Sequence, residues 1–304
     1  MSAPPVVQSH TVSTARPCQL FVHLPNVQLA VHPHDADTVE VAIRMATSEE
    51  EAQEVLARRP IAVRTVEQTI RIQPNTRQQP DREAWWRAQR RSDPTVTVEV
   101  HVPAQTNADV HVPGGTIDMA RLDGQITVEA TGGTVDLHDM AGRLDVQAFH
   151  GDVVVEHFSG PLLSVRGTGR TVDLRAIEAR ETHLHVASCT THLQDIQGDL
   201  SIEMHGGATT GTNLRGPLSV EAHGGSLSMH TPPRPVTLHA AGTDVALHLA
   251  HGCRLDASAY AVRWNDTPPP LATCTDRRVR GALQGGGAVV QAAVVGSPLA
   301  LALP

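Results

Sequence analysis

The chain has 304 residues, of which 40% are hydrophobic and only 2% aromatic, and its 24 basic residues, all arginine, face 32 acidic ones for a formal charge of -8. That balance excludes a general nucleic-acid binder, which needs clustered positive charge to displace counterions, and the lack of lysine excludes Schiff-base and lysine-nucleophile chemistry. Four cysteines, Cys18, Cys189, Cys253 and Cys274, are scattered without CxxC spacing, the usage of a reducing compartment and not of a cysteine-zinc site.

Residues 1–16 read as a flexible N-terminus. They have neither a basic start nor an apolar core segment, and no run of 18 apolar residues follows anywhere. The expectation is a soluble, cytoplasmic chain with no membrane span. Residues 17–95 hold strand-like runs at 19–23, 39–43 and 69–72. Between them a helix is predicted over 48–59, with Ser48 as N-cap, Glu49, Glu50 and Glu51 in the first turn, Arg58 and Arg59 in the last, and Pro60 as the stop.

A polar, proline-punctuated cap segment follows at 74–94. It carries Trp85 and Trp86 beside Arg87, Arg90 and Arg91, read first as a short cap helix covering the first coil and second as a partner surface, to which the composition is also suited. The array begins with the alternating strand Val96 to Pro103 and occupies residues 96–250.

Glycines then recur every 18 residues at Gly115, Gly133, Gly151 and Gly169. Cys189 takes the next slot two residues late, and Gly207 and Gly225 resume the count. A second ladder, Gly124, Gly142, Gly160, Gly198 and Gly216, stands nine residues after the first, so each repeat is two half-coils closed by turns. Within each half, apolar residues alternate, as in Ile117 and Met119, then Ile126 and Val128, which predicts short strands with one buried face.

A further apolar residue, Leu122, Met140, Phe158, Ile177, Ile196 or Leu214, recurs before the second turn and should plug the corner. Two irregularities stand out. Pro161 to Val165 can be read in two registers, and the coil from Gly169 carries an extra residue in each half, which predicts a bulge or widened turn around Ile177 to His183. Residues 251–304 read as C-terminal coils and a cap, with closing strands from Gly281 to Leu303.

The fold class is therefore all-β: a parallel, two-sheeted β-solenoid of about 18 residues per coil, with an N-terminal strand and helix cap and a C-terminal strand cap. The strand ending at Pro103, the coils of type G-x-I/V-x-L/M followed by G-x-L/I-x-V, and the ending Val279 to Val290 resemble the DUF4097 family of β-strand-repeat proteins, often given an adhesin label. The resemblance covers roughly residues 17–304. It implies a two-sheeted parallel β-solenoid, no established catalytic activity and no catalytic residues to carry across.

Chemistry can reside only in the outward positions. Aligned coils place Glu203, Glu221 and His239 in one column and His205 beside His223 in another, a donor set able to hold a transition metal, set against the simpler reading that they form the ordinary polar face of a sheet. On the other strand Asp118 aligns with Asp136, with Arg121 close enough in sequence to neutralise the pair. The calcium-roll pattern GGxGxDxUx fails, because Ile117, Met119, Val135 and Leu137 occupy positions that the roll reserves for glycine and aspartate.

The leading expectation is a non-catalytic interaction scaffold that requires no cofactor, binds a protein partner and no nucleic acid, and leaves oligomerisation through the solenoid ends open. A metal-binding protein using the His and Glu columns is the alternative. A carbohydrate-active β-helix enzyme ranks third, since sugar platforms need aromatics that the repeats lack.

Overall fold

Inward and outward positions alternate along almost every strand, so each short segment has one apolar face that only neighbouring coils can cover. The computed structural model describes residues 4–75, 94–230, 234–249, 253–264, 273–275, 277–282 and 288–302; Trp85, Trp86, Arg87, Arg90 and Arg91 lie outside them. The chain divides into two compact units, Met1–Gly151 and Asp152–Pro304. The fold is the parallel, two-sheeted β-solenoid that the repeats predict, and the sheet is not closed.

The first unit contains β1 (Val6–Ser13), β2 (Cys18–His23), β3 (Gln28–His34), β4 (Thr38–Met45), α1 (Glu49–Arg58), β5 (Ile61–Val66), β6 (Thr69–Pro74), β7 (Val96–Pro103), β8 (Thr106–Ala120) and β9 (Asp123–Phe149). The last two turn corners without interrupting their ladder: Ala108 lies opposite Ile126 and Gly115 opposite Gly133, both one 18-residue coil apart and parallel. Val110, Ile117, Met119, Val128, Val135 and Leu137 point inward and are buried, and Leu122 and Met140 fill the corners.

Stacking order differs from chain order at the N-terminal end. The sequence reading starts the array at Val96, yet β3 pairs with β8 on one edge and with β7 on the other. Likewise β2 lies between β8 and β6. The coil β2–β3 is thus inserted beneath the later coil β6–β7, and antiparallel strands close the outer edge, β5 on β6, β4 on β7 and β1 on β4. Residues 28–34 and 96–103 alternate alike, so local pattern cannot rank them.

Helix α1 forms where predicted. The Ser48 hydroxyl accepts from the Glu51 backbone N–H at 3.3 Å, and three glutamates occupy the positive first turn. Ala52 and Val55 are its buried side chains. Arg59, the C-cap, is buried and donates from Nη2 to the Pro25 carbonyl at 3.2 Å.

The second unit contains β10 (Asp152–Thr168), β11 (Thr171–Leu214), β12 (Leu218–His223), β13 (Ser226–His230), β14 (Val236–Ala241), β15 (Asp244–His248), β16 (Arg254–Ser258), β17 (Ala261–Trp264), β18 (Thr273–Cys274), β19 (Arg278–Ala282), β20 (Val289–Val295) and β21 (Pro298–Ala302). One stack runs from β11 through β12 to β14, the other from β11 through β13 to β15, all parallel.

The strands expected to close this end lie inside it. β20 pairs with β14 on one edge and β16 on the other, and β21 sits between β15 and β17. The outer coil is β16–β17, and its edge is closed by antiparallel β19, with β18 beyond.

The register of Pro161 to Val165 is resolved by burial: Leu163 and Val165 are inward and fully buried, with Leu162 and Ser164 half-exposed between them. The two extra residues are not both in the coil from Gly169. From Val153 opposite Val172 to Thr168 opposite Ala187, β10 and β11 are already 19 residues apart, with no bulge. The next coil keeps the longer step on its first side, where the Thr190 N–H donates to the Arg170 carbonyl and Gly198 seats on Ala179. It regains 18 before Glu203, since the interval from Ala179 to His185 is one residue longer than that from Gly198 to Glu203.

This shift also moves Gly169. One corner of the coil is made by left-handed residues, Gly114, Gly132 and His150 in the first unit and Gly169, Ser188, Gly206, Gly224 and Gly242 in the second. Gly115, Gly133 and Gly151 stand one residue later, as do Gly207 and Gly225, which seat on Cys189 and Gly207 respectively. Gly169 therefore does not share a column with Gly207 and Gly225; a 19-residue coil puts Arg170 there. Cys189 is buried, with Sγ 3.4 Å from the Ala187 carbonyl.

In the second ladder Gly142 packs on Gly124, Gly160 pairs with Ala179, and Gly216 packs on Gly198. The opposite corner has a rule the sequence hid. Each plug is preceded by a non-glycine residue with φ between 52° and 57°: Arg121 and Asp139 in the first unit, and His157, Ala176, Asp195 and Asn213 in the second. Asp, Asn and His tolerate this region better than most side chains.

Adjacent glycines separate two causes of destabilisation. Gly132→Ala, with φ +72° and nothing within 4 Å of a new Cβ, is expected to cost the left-handed penalty of about 1–2 kcal/mol. Gly133→Ala adds a Cβ 1.6 Å from the Gly115 carbonyl oxygen and is expected to lower the urea midpoint clearly further, because two coils must part. In the second unit, Phe158→Ala is expected to cost about 3–5 kcal/mol and Ile177→Val about 0.5–1.5 kcal/mol by the same denaturation measurement.

Candidate functional site

Outward side chains inherit their spacing from the ladder beneath them. The pairings put Glu203, Glu221 and His239 in one outward column and His205 beside His223 in the next. The column reaches one coil further than the sequence reading placed it. His185 stands before Glu203, and its Nδ1 lies 3.0 Å from Glu203 Oε2. His205, two residues along the same strand face, donates from Nε2 to Glu203 Oε1 at 3.0 Å. One carboxylate is thus held between two imidazoles.

His185 escaped the sequence reading because it lies in the coil whose count is disturbed. The signal was nevertheless present. Thr182, Leu184 and Val186 are inward, as are Leu200, Ile202 and Met204, so matching the two alternations places His185 over Glu203.

The donor atoms of His185, Glu203 and His205 lie within 4.8 Å of one another, and all three side chains are exposed. Hydrogen bonds from His205 and then His185 hold the Glu203 carboxyl below the usual carboxylate range. Glu221, His223 and His239 remain outside this convergent group. His223 instead donates from Nε2 to Glu221 Oε1 at 3.2 Å, and its ring stacks on that of His205 at 5.3 Å and 15°.

Acid followed by base at i+2 recurs elsewhere on the outward faces. Asp118 and Asp136 are in register, but the base beside Asp136 is His138, at 2.7 Å, and not Arg121, which occupies the left-handed corner position. Residues two apart on one strand share a face, which sets His138 beside Asp136. Arg175 makes a forked ion pair with Asp173, and that contact raises the guanidinium's already high pKa. Asp173 is itself buried, whereas the exposed pairs, such as Glu221 with His223, contribute little to stability.

The outward faces also carry shallow hollows. One of about 460 Å³ in the first unit is lined by Gln19, Phe21, Asn107, Asp109 and Thr127, with the Arg71 guanidinium 5.2 Å from the Phe21 ring centre. Another of about 280 Å³ in the second unit is lined by His183, Ser201, Pro217, Ser219 and Thr237. Among the described residues no helix is long and apolar enough to cross a membrane.

Comparison with known proteins follows the fold. A candidate lipid-binding protein from Parabacteroides distasonis has a TM-score of 0.52 at 9% identity, over 97% of this chain and 96% of that one. A candidate adhesin from Bacteroides fragilis has a TM-score of 0.36 at 9% identity, over the same shares of the two chains. The likeness to the first is one of fold. No curated protein is significantly similar in sequence. The Toastrack DUF4097 family matches residues 31–251, the stretch that holds most of the stacked coils. The chain belongs to the Toastrack DUF4097 family.

Proposed function

We propose that this protein is a non-catalytic binding scaffold of the cytoplasm, whose stacked strands present a rigid polar lattice to a protein partner. The observation that carries the reading is the register itself. Ser201, Ser219, Thr237 and Gln291 form an unbroken outward ladder in the second unit, while the inward positions of the same strands are apolar and buried. A repeat array of this kind uses extended surfaces for recognition, with rigid strands fixing the spacing of each contact.

The hollows around Asp109 and Ser219 give that lattice local relief. The cytoplasmic assignment draws support from the thiols of Cys18, Cys189 and Cys253, which are free and buried as small core residues. Burial pushes the Cys18 and Cys253 thiols up, away from the reactive thiolate.

Affinity capture from the native cell, followed by mass spectrometry, tests the proposal with two surface variants as comparators. Asp109→Arg and Ser219→Arg are expected to leave the melting temperature unchanged, and at least one of them is expected to lose a partner that the parent chain recovers reproducibly. No reproducible partner, or a partner retained by both variants, would count against the scaffold reading.

A further inference from the structure

We propose that His185, Glu203 and His205 form a surface site for one divalent transition-metal ion of the zinc class. The site is independent of the scaffold reading and needs no partner to form. Its geometry is close to what such an ion requires. Donor atoms around tetrahedral zinc stand about 3.3 Å apart, given metal–ligand bonds of about 2.0–2.2 Å. His185 Nδ1 stands 3.0 Å from Glu203 Oε2 and His205 Nε2 stands 3.0 Å from Oε1 of the same carboxylate, and one donor atom from each residue can be chosen so that all three fall within 4.8 Å. Exposed side chains close the remaining distance by rotation.

The donor chemistry selects the ion. Two neutral imidazoles and one carboxylate suit Zn²⁺, Ni²⁺ or Cu²⁺, whereas Ca²⁺ and Mg²⁺ require shells dominated by oxygen. In the hydrogen-bonded arrangement each imidazole turns an N–H toward the carboxylate. An ion takes the place of those two hydrogens, and each ring carries its hydrogen on the other nitrogen. Three protein donors leave at least one coordination position for water.

The backbone supplies the preorganisation. Glu203 and His205 lie on one face of one strand, and His185 occupies the same face one coil earlier, so neither spacing depends on a loop. The columns also end abruptly. Arg166 is the neighbour of His185 on the far side, and Ala293 follows His239. One coil later the same positions hold Glu203, Glu221 and His223, two carboxylates and a single imidazole. Among the described residues, the group centred on Glu203 is the one whose donors converge.

The full chain, without a histidine tag and freed of metal by chelation, should be titrated with ZnCl₂ by calorimetry, with CaCl₂ and MgCl₂ in parallel. One Zn²⁺ per chain is expected, with neither Ca²⁺ nor Mg²⁺ competing. His185→Ala, Glu203→Gln and His205→Ala are each expected to weaken binding by about tenfold or more. Metal-free melting temperatures should stay at the parent value, since all three side chains are exposed. His230→Ala, which alters an imidazole pair with His248 at 4.4 Å on the other stack, is expected to bind as the parent does. Absence of stoichiometric Zn²⁺, retention of parent affinity in the His185 variant, or an equal loss in the His230 variant would each overturn the site.

Discussion

Parallel stacking in register is the constraint on which everything else in this protein depends. Neighbouring strands sit about 4.8 Å apart, so a side chain that points inward in one coil must meet an inward side chain in the next. Apolar residues therefore recur at matched positions, and the corners must repeat as faithfully as the strands. One corner uses left-handed glycines, occasionally replaced by His150 or Ser188. The other uses a left-handed residue that drives the following Leu, Met, Phe or Ile into the core. Where close backbone contact forbids a Cβ, as at Gly133 on Gly115, only glycine satisfies the stack.

Stacked strands leave open edges that would template further pairing. Both units answer this alike. A terminal coil, β2–β3 or β20–β21, is placed inside the stack, and the coil outside it is closed by antiparallel strands. Antiparallel closure ends the repeat because the capping strand offers a different hydrogen-bond pattern and no continuing coil. Burying a terminal coil also ties residues distant in sequence into one ladder, as in the pairing of Val236 with Val290.

The outward faces are passive consequences of the same register until a coil departs from 18 residues. Two coils do so in the second unit. Returning to 18 after the corner that follows Ala179 aligns His185 with Glu203 and sets an imidazole on either side of one carboxylate. An irregularity in the scaffold is thereby converted into a local concentration of donors. The acid-to-base spacing of two residues seen at Asp136 and His138, or at Glu221 and His223, lacks the third group and remains an ordinary surface pair.

The sequence by itself determined the coil length, the inward residues, the helix predicted over 48–59 and observed as Glu49–Arg58, and the columns Glu203–Glu221–His239 and His205–His223. Each follows from local alternation, capping chemistry or a fixed period. It did not determine which coil stacks on which at either end, because β3 and β7 present the same alternating pattern and only long-range pairing chooses between them. Nor did it place both extra residues or bring His185 to Glu203, since a one-residue change in coil length alters every later neighbour while leaving local pattern intact. Those choices belong to the tertiary structure, where backbone hydrogen bonds between distant segments fix a register that no short window of sequence contains.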